Sequence, residues 1–246
     1  RYLSFCVFTA GMTTLAIEVA ASRLLGNVFG TSNLVWANII GLMLVYLTAG
    51  YFIGGRWADR SPHARTFYHL LVWAAFTAGL VPLVARPVLL FAAKAVENFD
   101  AAVMGGSFFA VLILFSAPIT LLGCVSPFAI RLTLTDSTEA GRVSGRMYAI
   151  STLGSIVGTF APTLWLIPTI GTARTFLLFA GLLLLVALVG LWRDEKRHAL
   201  LSLWMPVVIG LLAALSLSGP IKPVDGLLYE KESEYNFIQV VERGGT

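Results

Sequence analysis

"MGGSFFAVLILFSAPITLLGCVSPFAIR", residues 104–131, contains no charged side chain before its final arginine. A helix needs about 20 mostly apolar residues to cross a ~30 Å hydrocarbon layer, so this stretch predicts a transmembrane helix. The whole chain has the same character, because 57% of its 246 residues are hydrophobic and only 12% are charged, against about 25% in an ordinary soluble domain. Lipid is therefore the expected solvent for most of the chain.

Apolar stretches of similar length recur along the chain and predict an all-α polytopic membrane protein with about seven transmembrane helices. Pro82 and Pro87 predict that the third helix bends or breaks, with an interfacial segment over 86–98. The expected helices cover about 2–25, 33–54, 66–92, 104–131, 145–168, 173–192 and 199–218.

The basic residues are distributed unevenly between the two ends of the predicted helices. On the side with fewer basic residues, the short loops contain Lys94 and Arg174, and Arg23 and Arg86 lie closer to or inside helix ends. Because cytoplasmic loops carry the lysine and arginine excess, the richer side is expected to face the cytoplasm, in the cell inner (plasma) membrane. Seven crossings then place the C-terminal tail outside, unless the seventh segment does not cross. The richer side carries Arg56, Arg60, Arg65, Arg131, Arg142, Arg146, Arg193, Lys196 and Arg197.

Glu18 lies inside the first predicted helix, where a carboxylate costs roughly 2.5–3.5 kcal/mol on insertion scales. It is therefore expected to face protein or water. One interpretation is a substrate-binding site for a cation or an amine, or a proton-linked carboxylate. The other is a protonated or hydrogen-bonded side chain that fastens the first helix to a neighbour. Arg23 is nearer the predicted helix end, from which its long side chain can reach the interface.

"STLGSIVGTFAP", residues 151–162, spaces Gly154, Gly158 and Pro162 four residues apart, so all three lie roughly on one helix face. Missing side chains let another helix approach closely, and the proline is expected to loosen the helix near its outer end. The two interpretations are helix packing and a gating or substrate-lining bend.

"GGRWADR", residues 54–60, follows the second predicted helix. Gly54 and Gly55 favour a tight exit from that helix, and Asp59 can pair with the neighbouring arginines or cap the third helix. Gly55, Ala58, Asp59 and Arg60 resemble the loop signature of major facilitator transporters, although "SPHAR" replaces the Gly-Arg-Arg element that follows in that signature. The resemblance implies a major-facilitator-like half bundle of helices.

The membrane part shows no pattern of a catalytic, metal or nucleic-acid site. His63, His69 and His198 are scattered near loop ends, without the spacing or the carboxylates of a metal site. No phosphate-binding glycine loop and no basic patch interleaved with aromatic residues is present. The sequence therefore predicts no catalytic residue, metal, cofactor or nucleic-acid partner for this chain, with the lipid bilayer as its partner and oligomers left open.

The C-terminal tail differs from the rest of the chain. Glycines and prolines over 219–226 predict a linker. "GLLYEK" and "YNFIQVVE" then predict two short strands within 227–246, rich in tyrosine, phenylalanine, isoleucine and valine. A lone hairpin is at best marginally stable in water, so this one is expected to need a partner sheet.

The hairpin resembles the "Tyr-x-x-x-Ser-x-Tyr-Gln-x-Ile-x-Val" opening of spermidine synthases, which are polyamine aminopropyltransferases. In that family the segment begins a small β domain that leads into the catalytic domain. The resemblance implies that Tyr235 and Asn236, the latter in place of the family's glutamine, bind the nucleoside part of decarboxylated S-adenosylmethionine, the implied co-substrate. The matching residues are Tyr229, Glu232, Ser233, Tyr235, Asn236, Ile238 and Val240.

Residues 11–60 and 141–171 resemble the N-terminal region of proteins that fuse a major-facilitator-like bundle to a spermidine-synthase-like domain. The resemblance implies a transmembrane domain over 1–218 and, from 227, the incomplete start of the β domain. The family's nucleotide loop and catalytic aspartate are expected beyond Thr246, so this chain alone is not expected to turn over substrate. In the complete protein, an aminopropyl group would pass to putrescine or a related amine, with a carboxylate as general base.

Two alternatives are a transporter of polyamines or related small cations, with Glu18 in the site, and a passive membrane anchor. One conflict remains between the charge pattern and the implied chemistry. Decarboxylated S-adenosylmethionine is a cytosolic metabolite, whereas the charge pattern places the tail outside. Either the seventh segment does not cross, or the soluble domain acts on something else.

Overall fold

The computed structural model describes residues 1–95, 102–216, 226–232 and 237–242. Within them, seven helical stretches are long and apolar enough to cross a membrane, and this confirms the predicted helical fold and helix number. The helices are α1 (Tyr2–Phe29), α2 (Asn33–Arg60), α3 (Ala64–Ala95), α4 (Ala102–Thr133), α5 (Ala140–Ala161), α6 (Ile167–Ile170), α7 (Thr172–Asp194), α8 (Lys196–Leu201) and α9 (Trp204–Ser216). A 3-10 helix (Ser137–Glu139) precedes α5, and a π-helix (Pro162–Leu166) joins α5 to α6.

Helix α3 is continuous from Ala64 to Ala95, with Pro82 and Pro87 inside it. The predicted break, and a separate interfacial segment from residue 86, are therefore wrong as far as Ala95; residues 96–98 lie outside the described part of the chain. In an apolar solvent, each backbone group without a hydrogen bond costs several kcal/mol. Keeping the remaining helical hydrogen bonds therefore outweighs the local cost of each proline ring.

The core lies between α3, α4 and α7, where large aromatic side chains are fully buried. The rings of Phe67 and Phe128 are 6.1 Å apart between centroids, and those of Phe115 and Phe176 are 6.3 Å apart. Around this core, α2 packs mainly on α4, and α5 packs mainly on α1. These two outer helices have the smallest share of buried residues among the first six spans.

Large apolar side chains cover the outer surface of the bundle. Phe52 on α2 is 65% exposed, and Trp165 in the π-helix is 67% exposed. Soluble monomers rarely expose contiguous apolar patches of this kind. The outer surface is therefore suited to lipid. Other exposed side chains on it include Leu44, Val45, Phe109, Ile113, Leu153, Phe160 and Leu185.

Helices α8 and α9 run beside α3 and in the same direction. Later residues of α3 contact later residues of the α8–α9 segment, from the start of α3 toward its middle. Because α3 leads away from the 61–63 turn, α9 also leads away from that end of the bundle. The contacts, in order, are Arg65 with Glu195, His69 with His198, Trp73 and Phe76 with Trp204, and Gly79 with Ile209.

The C-terminal strands β1 (Leu227–Glu232) and β2 (Phe237–Val241) form an antiparallel pair, as predicted. Tyr229 pairs with Val240 and Lys231 pairs with Ile238, with an irregularity between Leu227 and Tyr229. Within the described residues, the strands pack on each other and make no extensive contact with a helix. The hairpin is therefore a separate element after the bundle.

Candidate functional site

Glu18 lies near the middle of α1 and is half-buried. Helix formation there follows from an unbroken apolar and small-residue sequence on either side of it. Among the described residues, no hydrogen bond or ion pair joins its carboxylate to another side chain or to the backbone. The described structure therefore shows no hydrogen bond through which Glu18 would fasten α1 to a neighbouring helix.

The face of α1 that carries Glu18 also lines a cavity. Successive residues are about 100° apart round an α-helix, so Glu18 shares a face with Gly11, Thr14 and Leu15. These three residues line a cavity of about 90 Å³ where α1, α2, α4 and α5 meet. That volume is enough for several water molecules. Glu18 lies about 6 Å beyond Thr14 along the helix axis.

Five hydroxyl-bearing residues contribute to the cavity wall, and among the described lining residues none is charged. Thr14 and Ser155 use their hydroxyls within the bundle, donating to the carbonyl oxygens of Ala10 at 2.8 Å and Gly11 at 3.2 Å. The other three make no hydrogen bond within the described parts of the chain. These are Tyr51 on α2, Ser126 on α4 and Ser151 on α5.

Gly154 and Gly158 lie buried at the contact between α5 and α1. A methyl group on Gly154 would overlap the carbonyl oxygen of Phe8, and one on Gly158 would overlap that of Met12. Helix packing accounts for both glycines. Pro162 is buried on the same face and begins the π-helix, in which Ile167 N–H donates to the Pro162 carbonyl oxygen.

The expected tight exit from α2 at Gly54 and Gly55 is wrong, because α2 continues through both glycines to Arg60. Gly54 instead packs against α4, where an added Cβ would lie 2.5 Å from the Cα atom of Cys124. Gly55 faces open space. Two adjacent glycines in one helix thus have different surroundings, since they point in different directions from its axis.

Asp59 neither caps α3 nor pairs with its sequence neighbours. Its Oδ1 accepts a hydrogen bond from Arg131 Nε on α4 at 3.1 Å. Because α2 stays helical to Arg60, Asp59 is carried to the end of α4 rather than into a turn. Arg23 is half-buried within α1, which extends four residues beyond the predicted end to Phe29. Arg23 lies about 140° round the helix from Glu18.

A polar cluster that the sequence did not predict joins α3 to the start of α8. Arg65 Nη1 donates to Glu195 Oε2 at 2.8 Å, and His198 Nδ1 lies 3.0 Å from Glu195 Oε1. The rings of His69 and His198 are 5.3 Å apart. The hydrogen bond from Arg65 lowers the pKa of Glu195 from its ordinary value. In the sequence, the signal for this cluster is that each of its four residues lies within two helical turns of a loop on the arginine-rich side.

No three histidine, cysteine, aspartate or glutamate side chains in the described ranges are arranged to hold a metal ion. Tyr235 and Asn236, the proposed nucleoside contacts, lie outside those ranges, whereas Tyr229, Ile238 and Val240 lie in the two strands. Comparison with protein-family models, with curated proteins and with solved structures found no match to this chain.

Proposed function

We propose that the helical bundle is the membrane domain of a fused spermidine-synthase-like protein, and that the hairpin begins its aminopropyltransferase-like domain. The observation that carries the proposal is the exposed apolar surface of the hairpin. Leu228 is 66% exposed and Tyr229 is 53% exposed, and Ile238 and Val240 are also exposed. A two-stranded sheet with such a surface needs a further layer to be stable in water.

The strand register supports the resemblance to the spermidine synthase opening. Side chains two apart in a strand share a face, and paired residues share a face across strands. Tyr229 pairs with Val240, and Ile238 lies two residues before Val240. Three apolar positions of the motif therefore lie on one face of the hairpin. The position of Lys231, which pairs with Ile238, is on the same face. The three apolar positions are suited to contact with a domain core.

In the complete protein, the domain would transfer an aminopropyl group from decarboxylated S-adenosylmethionine to putrescine or a related amine. The amine nitrogen attacks the carbon bound to the sulfonium, the carbon–sulfur bond breaks, and methylthioadenosine leaves while a carboxylate takes the amine proton. Tyr235 and Asn236 are proposed to contact the nucleoside. An asparagine amide both donates and accepts hydrogen bonds, as glutamine does, from a side chain one methylene shorter.

The direction of α9 bears on the side of the membrane. Its course beside α3 supports a seventh crossing, which would put the hairpin opposite the arginine-rich loops. A domain on that side would not meet a donor made in the cytosol. The hairpin thus supports an aminopropyltransferase-like domain. The side of the membrane on which that domain lies decides whether its donor is decarboxylated S-adenosylmethionine.

The test is an activity assay on the natural gene product that contains these residues, purified in detergent. With decarboxylated S-adenosylmethionine and putrescine, we expect methylthioadenosine and spermidine in equal amounts, and no product from residues 1–246 alone. An Asn236→Ala variant is expected to raise KM for the donor. A full-length product that releases no methylthioadenosine with any amine would refute the transferase proposal.

Transport of polyamines or related small cations is the second candidate function, favoured by Glu18, which lies on the cavity face and has no partner among the described residues. Uptake of labelled putrescine into proteoliposomes, with wild-type chain and with Glu18→Gln, tests it. Uptake that Glu18→Gln abolishes supports transport. Absence of uptake in both supports a passive anchor.

A further inference from the structure

We propose that Glu18 and the cavity between α1, α2, α4 and α5 form a binding site for an organic cation with two ammonium groups. The proposal deepens the transport candidate but does not depend on translocation, since a site can bind its ligand without moving it.

The sign of the ligand charge follows from the charges on this face. The described residues that line the cavity are all neutral, and Glu18 on the adjoining turn of α1 has no partner in the described structure. A carboxylate in an apolar interior is costly unless a cation or a proton compensates it. The face is therefore suited to a positive ligand and unsuited to an anion.

The number of available oxygen atoms argues against a metal cation. Calcium takes 6–8 oxygen ligands, and magnesium needs an octahedral shell with one or two carboxylates. Here one carboxylate stands apart from three hydroxyls, those of Tyr51, Ser126 and Ser151, that make no hydrogen bond within the described chain. Hydroxyl oxygens accept hydrogen bonds from ammonium groups, which have three donors each.

The separation of the polar groups favours two ammonium groups on a short carbon chain. The hydroxyl of Ser151 lies beside Gly11. Glu18 is seven residues from Gly11, which is about 10 Å along the axis of α1. Apolar side chains, including Leu47 and Leu122, line the same wall. One ammonium group would pair with Glu18, the other would donate to the hydroxyls, and the methylene groups between them would contact the leucines.

The test measures binding of radiolabelled 1,4-diaminobutane to the purified chain in detergent. We expect saturable binding that 1,4-butanediol, a neutral molecule of similar shape, does not compete. Glu18→Gln is expected to weaken binding by more than about tenfold, because it removes the negative charge that the described residues place beside the cavity. Glu18→Asp should retain most of the affinity. Glu139→Gln, at an exposed pair with Arg142 in the loop before α5, is the matched control and should bind as the wild type does.

Three results would each overturn the proposal: no binding to the wild type, equal competition by the diol, or equal affinity in wild type and Glu18→Gln. The competition experiment with the diol uses the wild-type chain, so its result does not depend on whether a variant folds. The hairpin takes no part in this binding. Failure here therefore leaves the transferase proposal intact, and failure of the transferase assay leaves this site intact.

Discussion

Glu18 and Glu195 are two glutamates of the same chain in opposite surroundings. Glu18 lies in the middle of a helix and has no partner in the described part of the chain, whereas Glu195 lies between α7 and α8 and accepts a hydrogen bond from Arg65. The first is suited to an external cation, and the second is satisfied within the protein. Insertion cost alone identifies Glu18 from the sequence, but the partners of Glu195 depend on how α3 and α8 meet.

The lowered pKa of Glu195 makes a prediction about pH. A carboxylate with a depressed pKa in the folded state stabilises that state above its unfolded pKa of about 4.3, and the contribution is lost as pH falls through the folded value. Wild type should therefore unfold at a slightly higher temperature than Glu195→Gln at pH 7. The difference should begin to shrink as pH falls to about 4.3 and vanish once pH is below the depressed pKa of Glu195.

The measurement is thermal unfolding in detergent, followed by circular dichroism between pH 3 and 8. Glu139→Gln is the control, because its pair with Arg142 lies within one short segment and does not join helices. A difference between wild type and Glu195→Gln that stays constant down to pH 3 would rule out the Arg65 contact as its source.

At the scale of elements, adjacent glycines in α2 should respond differently to the same change. Gly54→Ala places a methyl group against Cys124, so we expect destabilisation of about 1–3 kcal/mol from overpacking of α2 on α4. Gly55→Ala meets open space and gains helix propensity, so it should be neutral or stabilising by about 0.5–1 kcal/mol. Unfolding in mixed micelles measures both, and equal effects would contradict the α2–α4 contact.

The α1–α5 contact makes an independent prediction. Gly158→Ala would push α5 away from the Met12 carbonyl, at an expected cost of about 1–3 kcal/mol. Gly145→Ala lies on the same helix in open space and is the matched control. The same unfolding experiment applies. A Gly158→Ala variant as stable as Gly145→Ala would show that α5 does not approach α1 this closely in solution.

At the scale of the whole molecule, the direction of α9 predicts the side on which the tail lies. A cysteine at Asp225→Cys should react with a membrane-impermeant maleimide from the side opposite to one at Thr138→Cys, in sealed vesicles of known orientation. Native Cys6 and Cys124 are buried, so they should give little background. Labelling of both positions from the same side would mean that α8 and α9 do not cross.

The hydropathy and the periodicity of the apolar residues predicted the number of helices and the hairpin. The length of an apolar stretch and the alternation of residues along a strand are both local properties of the sequence. Helix ends were less predictable, since polar residues such as Asp59 and Arg60 continue α2 beyond its apolar part. The cavity could not be predicted, because Tyr51, Ser126 and Ser151 belong to three helices whose relative rotation the sequence does not state. The Asp59–Arg131 pair was missed for the same reason.

The π-helix at the outer end of α5 holds one residue more than an α-helical turn needs. Deleting a single residue there, such as Thr163, would restore regular helix without moving the glycines that lie on α1. The same deletion one turn earlier would rotate every later side chain by about 100° relative to that contact. This short stretch is thus where the chain can gain or lose a residue while the bundle before it keeps its register.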